Sequence, residues 1–313
     1  MQEYKAYHRG RVKQIPIYLG KFFRMFVFLN DWKVLPMSAL IAAIVAFVAC
    51  ADMFKTMEGT LMGAMALTCV CLWNGCFNSI QVVCREREIV KREHRAGMHI
   101  SSYIAAHMIY QAFLCLMQTV ITLTVCSFVI DFPAEGIFLP HSLVEFGITL
   151  FLITYSADML SLMISCIVKN TTAAMTAMPL VLIVQLVFSG IMFTLSDELD
   201  RYSYLTVARW GMNCICALSC YNSQPMVSVW NQLVKVSGYE VNGTKPLLEI
   251  LRYIETNNKV DEFCAEMGTQ STVAAYETTA GNIALCWLVL AGFALLFAVL
   301  AVLFLKRVDK DKR

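Results

Sequence analysis

Charge is scarce in this chain. Asp, Glu, Lys and Arg make up 15% of its 313 residues, against about 25% in an ordinary soluble domain. No G-x-x-x-x-G-K-[ST] phosphate loop occurs, so the chain carries no motif of that kind for binding ATP. H-E-x-x-H is missing and no two Asp share an apolar run, which argues against an enzyme working inside a bilayer. Nothing interleaves basic and aromatic residues as nucleic-acid binders do. Internal repeats and low-complexity tracts are absent. The start does not resemble a cleavable signal peptide, because charge and aromatics run to Lys33 before the first apolar stretch.

What remains is apolar. Hydrophobic residues are 58% of the chain and the mean hydropathy is +0.61. A bilayer core of about 30 Å needs about 20 consecutive apolar residues in a helix. Six stretches meet or approach that length: Val34–Ala51, Thr60–Val83, Ile100–Ile130, Leu143–Val168, Thr172–Phe193 and Ile283–Leu305. A chain of this size cannot surround six such helices with soluble structure, so the sequence predicts an all-α polytopic membrane protein. Basic residues set its orientation. Seven Lys or Arg lie in 1–33, five in 85–97, one at Lys169 and five in 306–313, while the short opposite loops 52–59 and 131–142 hold only Lys55. Both termini are expected in the cytoplasm.

The chain divides accordingly. Residues 1–33, with Ile17, Phe22, Phe23, Phe26 and Leu29 interleaved with Lys21 and Arg24, predict an interfacial helix on the cytoplasmic membrane surface. Spans one to five occupy 34–193 and include a charged cytoplasmic segment at 84–97. An extracellular segment, 194–282, precedes the sixth span and tail, 283–313.

That charged segment, "REREIVKREHRAG" (85–97), packs eight charges into thirteen residues. As a helix it places Glu88 four residues before Arg92, the favourable order, and ends at Gly97, a natural C-terminal cap. Two readings fit: a solvated loop obeying the positive-inside rule, or a docking surface, since three acidic residues among five basic ones exceed what topology needs.

On the second span Asn74, Asn78, Gln81 and Arg85 form one polar stripe flanked by Trp73 and Phe77, suited either to a cavity wall or to hydrogen bonding between helices. On the fourth, Tyr155, Asp158, Ser161, Ser165 and Lys169 share a face. An ionised Asp at mid-membrane costs about 3 kcal/mol, so Asp158 is either a protonated structural group or a coupling element. Glu145 is expected to reach the outer interface. Most of the thirteen cysteines lie within spans. In the outer segment Cys214 and Cys216 fall on a short apolar helix expected to dip back into the membrane, leaving Cys220 and Cys264 as a candidate disulfide. The C-x-C-x-x-x-C spacing lacks a nearby His, so no metal site is expected. Asn242 opens an N-G-T sequon, of consequence only in a source that glycosylates. "KPLLEILRYIETNNKVDEFCAEM" has helical spacing at Leu247, Leu248, Leu251 and Ile254 and predicts a small cap.

The stretch "NGCFNSIQVVCREREIVKREHRAGMHISSYIAAHM" resembles the membrane domain of the G subfamily of ATP-binding cassette transporters. There an E-R-x-x-x-x-R/K-E-x-x-x-G helix precedes S-x-Y at the start of the third span. Glu86, Arg87, Arg92, Glu93, Gly97, Ser101 or Ser102, and Tyr103 supply the matches. "SCIVKNTTAAMTAMPLVLIVQLVFSGIMF" and "LTVARWGMNC" resemble later blocks, so the likeness covers nearly the whole chain. It implies a permease without its nucleotide-binding domain, so that ATP and Mg belong to a separate ATP-binding subunit and this chain holds no cofactor. It implies a second permease copy, identical or related, to complete the usual twelve spans. Arg85, Glu86, Arg87, Glu88, Lys91, Arg92, Glu93 and Arg95 would form the transmission helix meeting the ATPase. Trp73, Asn74, Phe77, Asn78, Gln185 and Phe188 would line the substrate cavity, and Ile191 and Met192 its outer gate. The spacing from Asn74 to Glu86 is about one turn shorter than in the family, which leaves the cavity assignment good to a turn. Expected cargo is lipidic, amphipathic or peptide-like. A scaffold or signalling receptor that keeps the permease fold and moves nothing is the alternative. A carbohydrate-exporting permease fits less well, given the charged block and the long outer segment.

Overall fold

The computed structural model describes residues 10–28, 31–190, 197–240 and 245–306. Ile191, Met192 and Asn242 lie outside that set. Among the described residues every regular element is helical. In chain order these are α1 (Arg11–Phe28), α2 (Val34–Ala49), α3 (Met57–Ser79), α4 (Val82–Arg85), α5 (Arg87–Arg95), α6 (Ile100–Cys126), α7 (Ser142–Ile167), α8 (Thr171–Val187), α9 (Asp197–Ser203), α10 (Val207–Leu218), α11 (Val227–Val236), α12 (Pro246–Thr256), α13 (Val260–Gln270) and α14 (Ala280–Leu305).

Four of these units are long and apolar enough to cross a bilayer: α3 with α4, α6, α7 and α14. The chain is therefore a multi-pass membrane protein. Two expected spans are shorter than their apolar runs. α2 has 16 residues and α8 has 17, or about 24–26 Å at 1.5 Å per residue. α8 stops because Ser189 and Gly190 turn the chain, Gly190 with φ +83°. Side-chain caps fix several starts: Thr56 accepts from the Gly59 amide, Asn170 from Ala173 and Thr279 from Asn282.

α7 is the central helix, packed along α3 on one side and α14 on another. The α3–α7 contact is close because Gly75 has no side chain; a Cβ there would collide with the Thr154 carbonyl oxygen and come within 2.8 Å of the Asp158 nitrogen. α10, almost wholly buried, fills the space between α3, α7 and α14. It carries Cys214 and Cys216 as expected. Its length, about 18 Å for 12 residues, is too short to cross a bilayer.

α11, α12 and α13 fold as a cap with its own small core of Trp230, Leu251 and Cys264, against which Leu247, Ile254 and Phe263 pack. The helical spacing at Leu247, Leu248, Leu251 and Ile254 falls on α12; the chain turns at Asn258, φ +53°, before α13. All thirteen cysteines are free thiols: Cys220 sits in a left-handed turn after α10 while Cys264 packs in the cap core. Glu145 departs from expectation. It does not reach outward but is fully buried, its carboxylate accepting the backbone amides of Ile137, Phe138 and Leu139 from the preceding loop.

Candidate functional site

The charged segment begins with a break. α3 ends at Ser79 and α4 starts at Val82, although nothing in Ile80–Val83 (no Gly or Pro) requires the helix to stop. The freed amides of Val83 and Cys84 donate to the Ser165 hydroxyl of α7, at 3.1 and 3.2 Å. A helix turn exposes amides that need partners, and the Ser165 side chain supplies one inside the bundle. Two residues beyond α4 the Arg87 guanidinium donates to the carbonyls of Cys166 and Val168, both at 3.0 Å, capping the end of α7 where a cation is favoured.

α5 then runs nine residues and closes at Gly97, whose φ of +106° allows the Met98 amide to bond back to the Glu93 carbonyl. Its inward side is fastened to α1. Lys21 pairs with Glu86 at 3.0 Å, and Tyr18 donates to Glu93 at 3.1 Å. Gln14 bridges the Gly97 carbonyl and the His99 amide. Burial first, then the Glu93 carboxylate, push the Tyr18 phenol well above its usual range, so it stays a donor. α1 itself lies against α6: Phe22 stacks on His107, ring centroids 3.9 Å apart, and Phe23 meets Tyr110 and Phe113 edge-on.

The eight residues expected to meet an ATPase thus divide. Glu86, Arg87 and Glu93 are bonded to the spans and to α1. Glu88, Arg92 and Arg95, with Ile89 between them, form the exposed side. Lys91 is half-buried, and Arg85 lies one turn earlier on α4, exposed and facing a groove.

The polar stripe of the second span also divides. Asn74 donates to Ser38 of α2 at 3.0 Å. Asn78 exchanges two hydrogen bonds with Gln118 of α6, at 2.8 and 3.1 Å. Both amides serve helix packing in part. They also border two adjoining chambers that share Val34 and Phe77. One, of about 260 Å³, is lined by Asn78, Gln81, Arg85, Tyr110, Gln111 and Met175 among others. The next, about 320 Å³ and nearly all apolar, is lined by Lys33, Met37, Ile41, Trp73 and Asn74, with Gln118 at its edge. Trp73 and Phe77, 5.4 Å apart, form part of its wall. Gln185 and Phe188 are not brought to this groove: the Gln185 side chain accepts the Ala208 amide and anchors α10.

Asp158 is fully buried between α3 and α6, 3.4 Å from the Cys115 thiol, while its Oδ1 has no partner. Ser161 bonds to the Asp158 carbonyl and reaches the Gly75 carbonyl at 3.4 Å. The predicted face of α7, from Tyr155 to Ser165, thus meets α6 and the α3–α4 break. Sequence reasoning missed the matching face of α6. Tyr103, His107, Gln111, Cys115 and Gln118 recur at helical steps and are all buried. Their spacing in "SSYIAAHMIYQAFLCLMQT" carries the signal. The Tyr103 hydroxyl, both His107 ring nitrogens and the Gln111 carbonyl oxygen have no hydrogen-bond partner.

A family model described as ABC-2 type transporter matches residues 19–218. The chain belongs to that family, a membrane component of transport systems. It is also 29% identical, over 129 residues, to an ABC transporter ATP-binding/permease protein of Mycobacterium tuberculosis. That match takes in 40% of this chain and only 15% of the mycobacterial protein.

Proposed function

We propose that this chain is the permease half of a G-type, ATP-driven exporter. The chain crosses the plasma membrane six times, through α2, α3 with α4, α6, α7, α8 and α14, and the basic residues of its terminal segments favour both termini in the cytoplasm. α1 rests at the inner membrane surface and α10 dips in from the outer one. Two copies, identical or related, face each other across a cavity walled by the second and fifth spans. A separate ATP-binding subunit, holding ATP and Mg, docks on α5. This chain performs no covalent chemistry. Closure of the ATPases pushes α5, and the cavity changes from inward- to outward-open, releasing a lipidic, amphipathic or peptide-like cargo.

One observation carries this reading: the two-sided use of α5. A passive loop has no reason to spend Glu86, Arg87 and Glu93 on internal bonds while keeping Glu88, Arg92 and Arg95 turned outward. A helix that takes force from a partner needs both, a rigid attachment and an exposed polar face. The test is copurification from native membranes in mild detergent. A stoichiometric ATP-binding subunit is expected, and the double reversal Glu88→Arg with Arg92→Glu should release it without altering the permease's own elution. Clean recovery of the chain with no ATPase, under conditions that preserve other such complexes, would instead favour a scaffold that moves nothing.

A further inference from the structure

The groove between α2, α3–α4, α6 and α8 is polarised from end to end. We infer that it is a binding site for a phosphatidylglycerol-class lipid, drawn from the leaflet on the α1–α5 side. The inference stands whether or not the chain moves cargo.

Each of the two chambers carries one cation on its wall. Arg85 and Lys33 line the adjoining chambers, both exposed, and neither makes an ion pair with a described residue. Basic pockets between membrane helices recognise anionic headgroups. Gln111 lines the Arg85 chamber, 1% exposed, with its carbonyl oxygen unpartnered. A buried acceptor left unsatisfied is costly, and the group that satisfies it must be a donor. The site therefore asks for a phosphate beside a hydroxyl. A phosphodiester carrying a free glycerol offers both, with a net negative charge for the cations. Choline carries no such donor and cancels that charge.

Beyond Phe77 the groove turns apolar, walled by Met37, Ile41 and Trp73. From Arg85 to Trp73 is twelve positions, roughly 18 Å along a helix. One leaflet of hydrocarbon is about 15 Å, so the length suits one acyl chain with its headgroup at Arg85.

Native mass spectrometry of the purified chain, titrated with phosphatidylglycerol and with phosphatidylcholine of the same acyl chains, tests this. The expected result is one tightly held phosphatidylglycerol, preferred about tenfold. Arg85→Gln should abolish the preference and Gln111→Leu should reduce it, whereas Arg92→Gln, an equal loss of charge outside the groove, should leave it intact. Should Arg85→Gln misfold, a chain with the groove residues intact still decides the matter: brominated phosphatidylglycerol should quench Trp73 in a variant keeping only that tryptophan, and brominated phosphatidylcholine should not. Equal retention of the two lipids overturns the proposal. So does displacement of the lipid by millimolar glycerol phosphate, which would mark the site as one for a soluble phosphate.

Discussion

α7 and α14 are both 26 residues long, yet they live in different solvents. α14 has a mean hydropathy of 3.0 over its best window and only 28% of that window is buried in protein; for α7 the values are 1.8 and 67%, and for α3 with α4, 1.5 and 61%. Lipid demands apolarity all round, since nothing there pairs with a polar group. Protein neighbours tolerate Asp158, Ser161 and Ser165 because they offer partners. Hydropathy in this chain therefore marks the helix that faces lipid, and its relative weakness marks the helices that carry structure and mechanism.

Substitutions that treat the two kinds of helix alike should sharpen the contrast, measured as thermal unfolding of the chain in detergent. The largest effect is expected from matched glycines. Gly75→Leu drives a side chain into the α7 backbone and should cost about 3 kcal/mol or more, enough to lose the monodisperse peak. Gly292→Leu on α14, where a Cβ meets nothing within 4 Å, should be neutral. Glu145→Gln removes a charge that gathers three backbone amides and should cost about 3 kcal/mol. Ser165→Ala strands the amides at the α3–α4 break and should cost about 1–2 kcal/mol. Reversing Lys21 or Glu86 singly should cost about 1 kcal/mol, with the double reversal regaining most of it. Smallest of all, Leu288→Ala, at a side chain 70% exposed on α14, should stay within about 0.5 kcal/mol. Equal sensitivity of Gly75 and Gly292 would break the comparison, because it would mean α14 is also packed against protein.

Much of the architecture could be read from the residues, for physical reasons. Apolar runs fix which segments are helical in a bilayer, and Gly97 fixed the end of α5, because few other residues adopt its backbone angle. The α3–α4 break was not legible: Ile80–Val83 looks like uninterrupted helix, and the group that breaks it, Ser165, is about eighty positions away. Nor could the sequence say which charges of "REREIVKREHRAG" turn inward, since that depends on where the end of α7 and the side of α1 arrive. Asn74 and Asn78 each bond to a neighbouring helix and also border the groove, so their types and spacing alone could not choose between the two readings. The buried polar face of α6 was legible in the helical spacing of Tyr103, His107, Gln111, Cys115 and Gln118.

The Met57 end of α3 is as firmly held as the end that leads into α4 and α5. Glu58 accepts the amides of Val227 and Ser228 from α11, Thr60 bonds the Gln224 side chain, and the Met57 amide bonds the Pro225 carbonyl. The cap is thus seated on the same helix whose other end leads into α5. A label on the cap would serve as a remote gauge: a spectroscopist working on one face of the membrane could follow what is happening to the charged helix on the other.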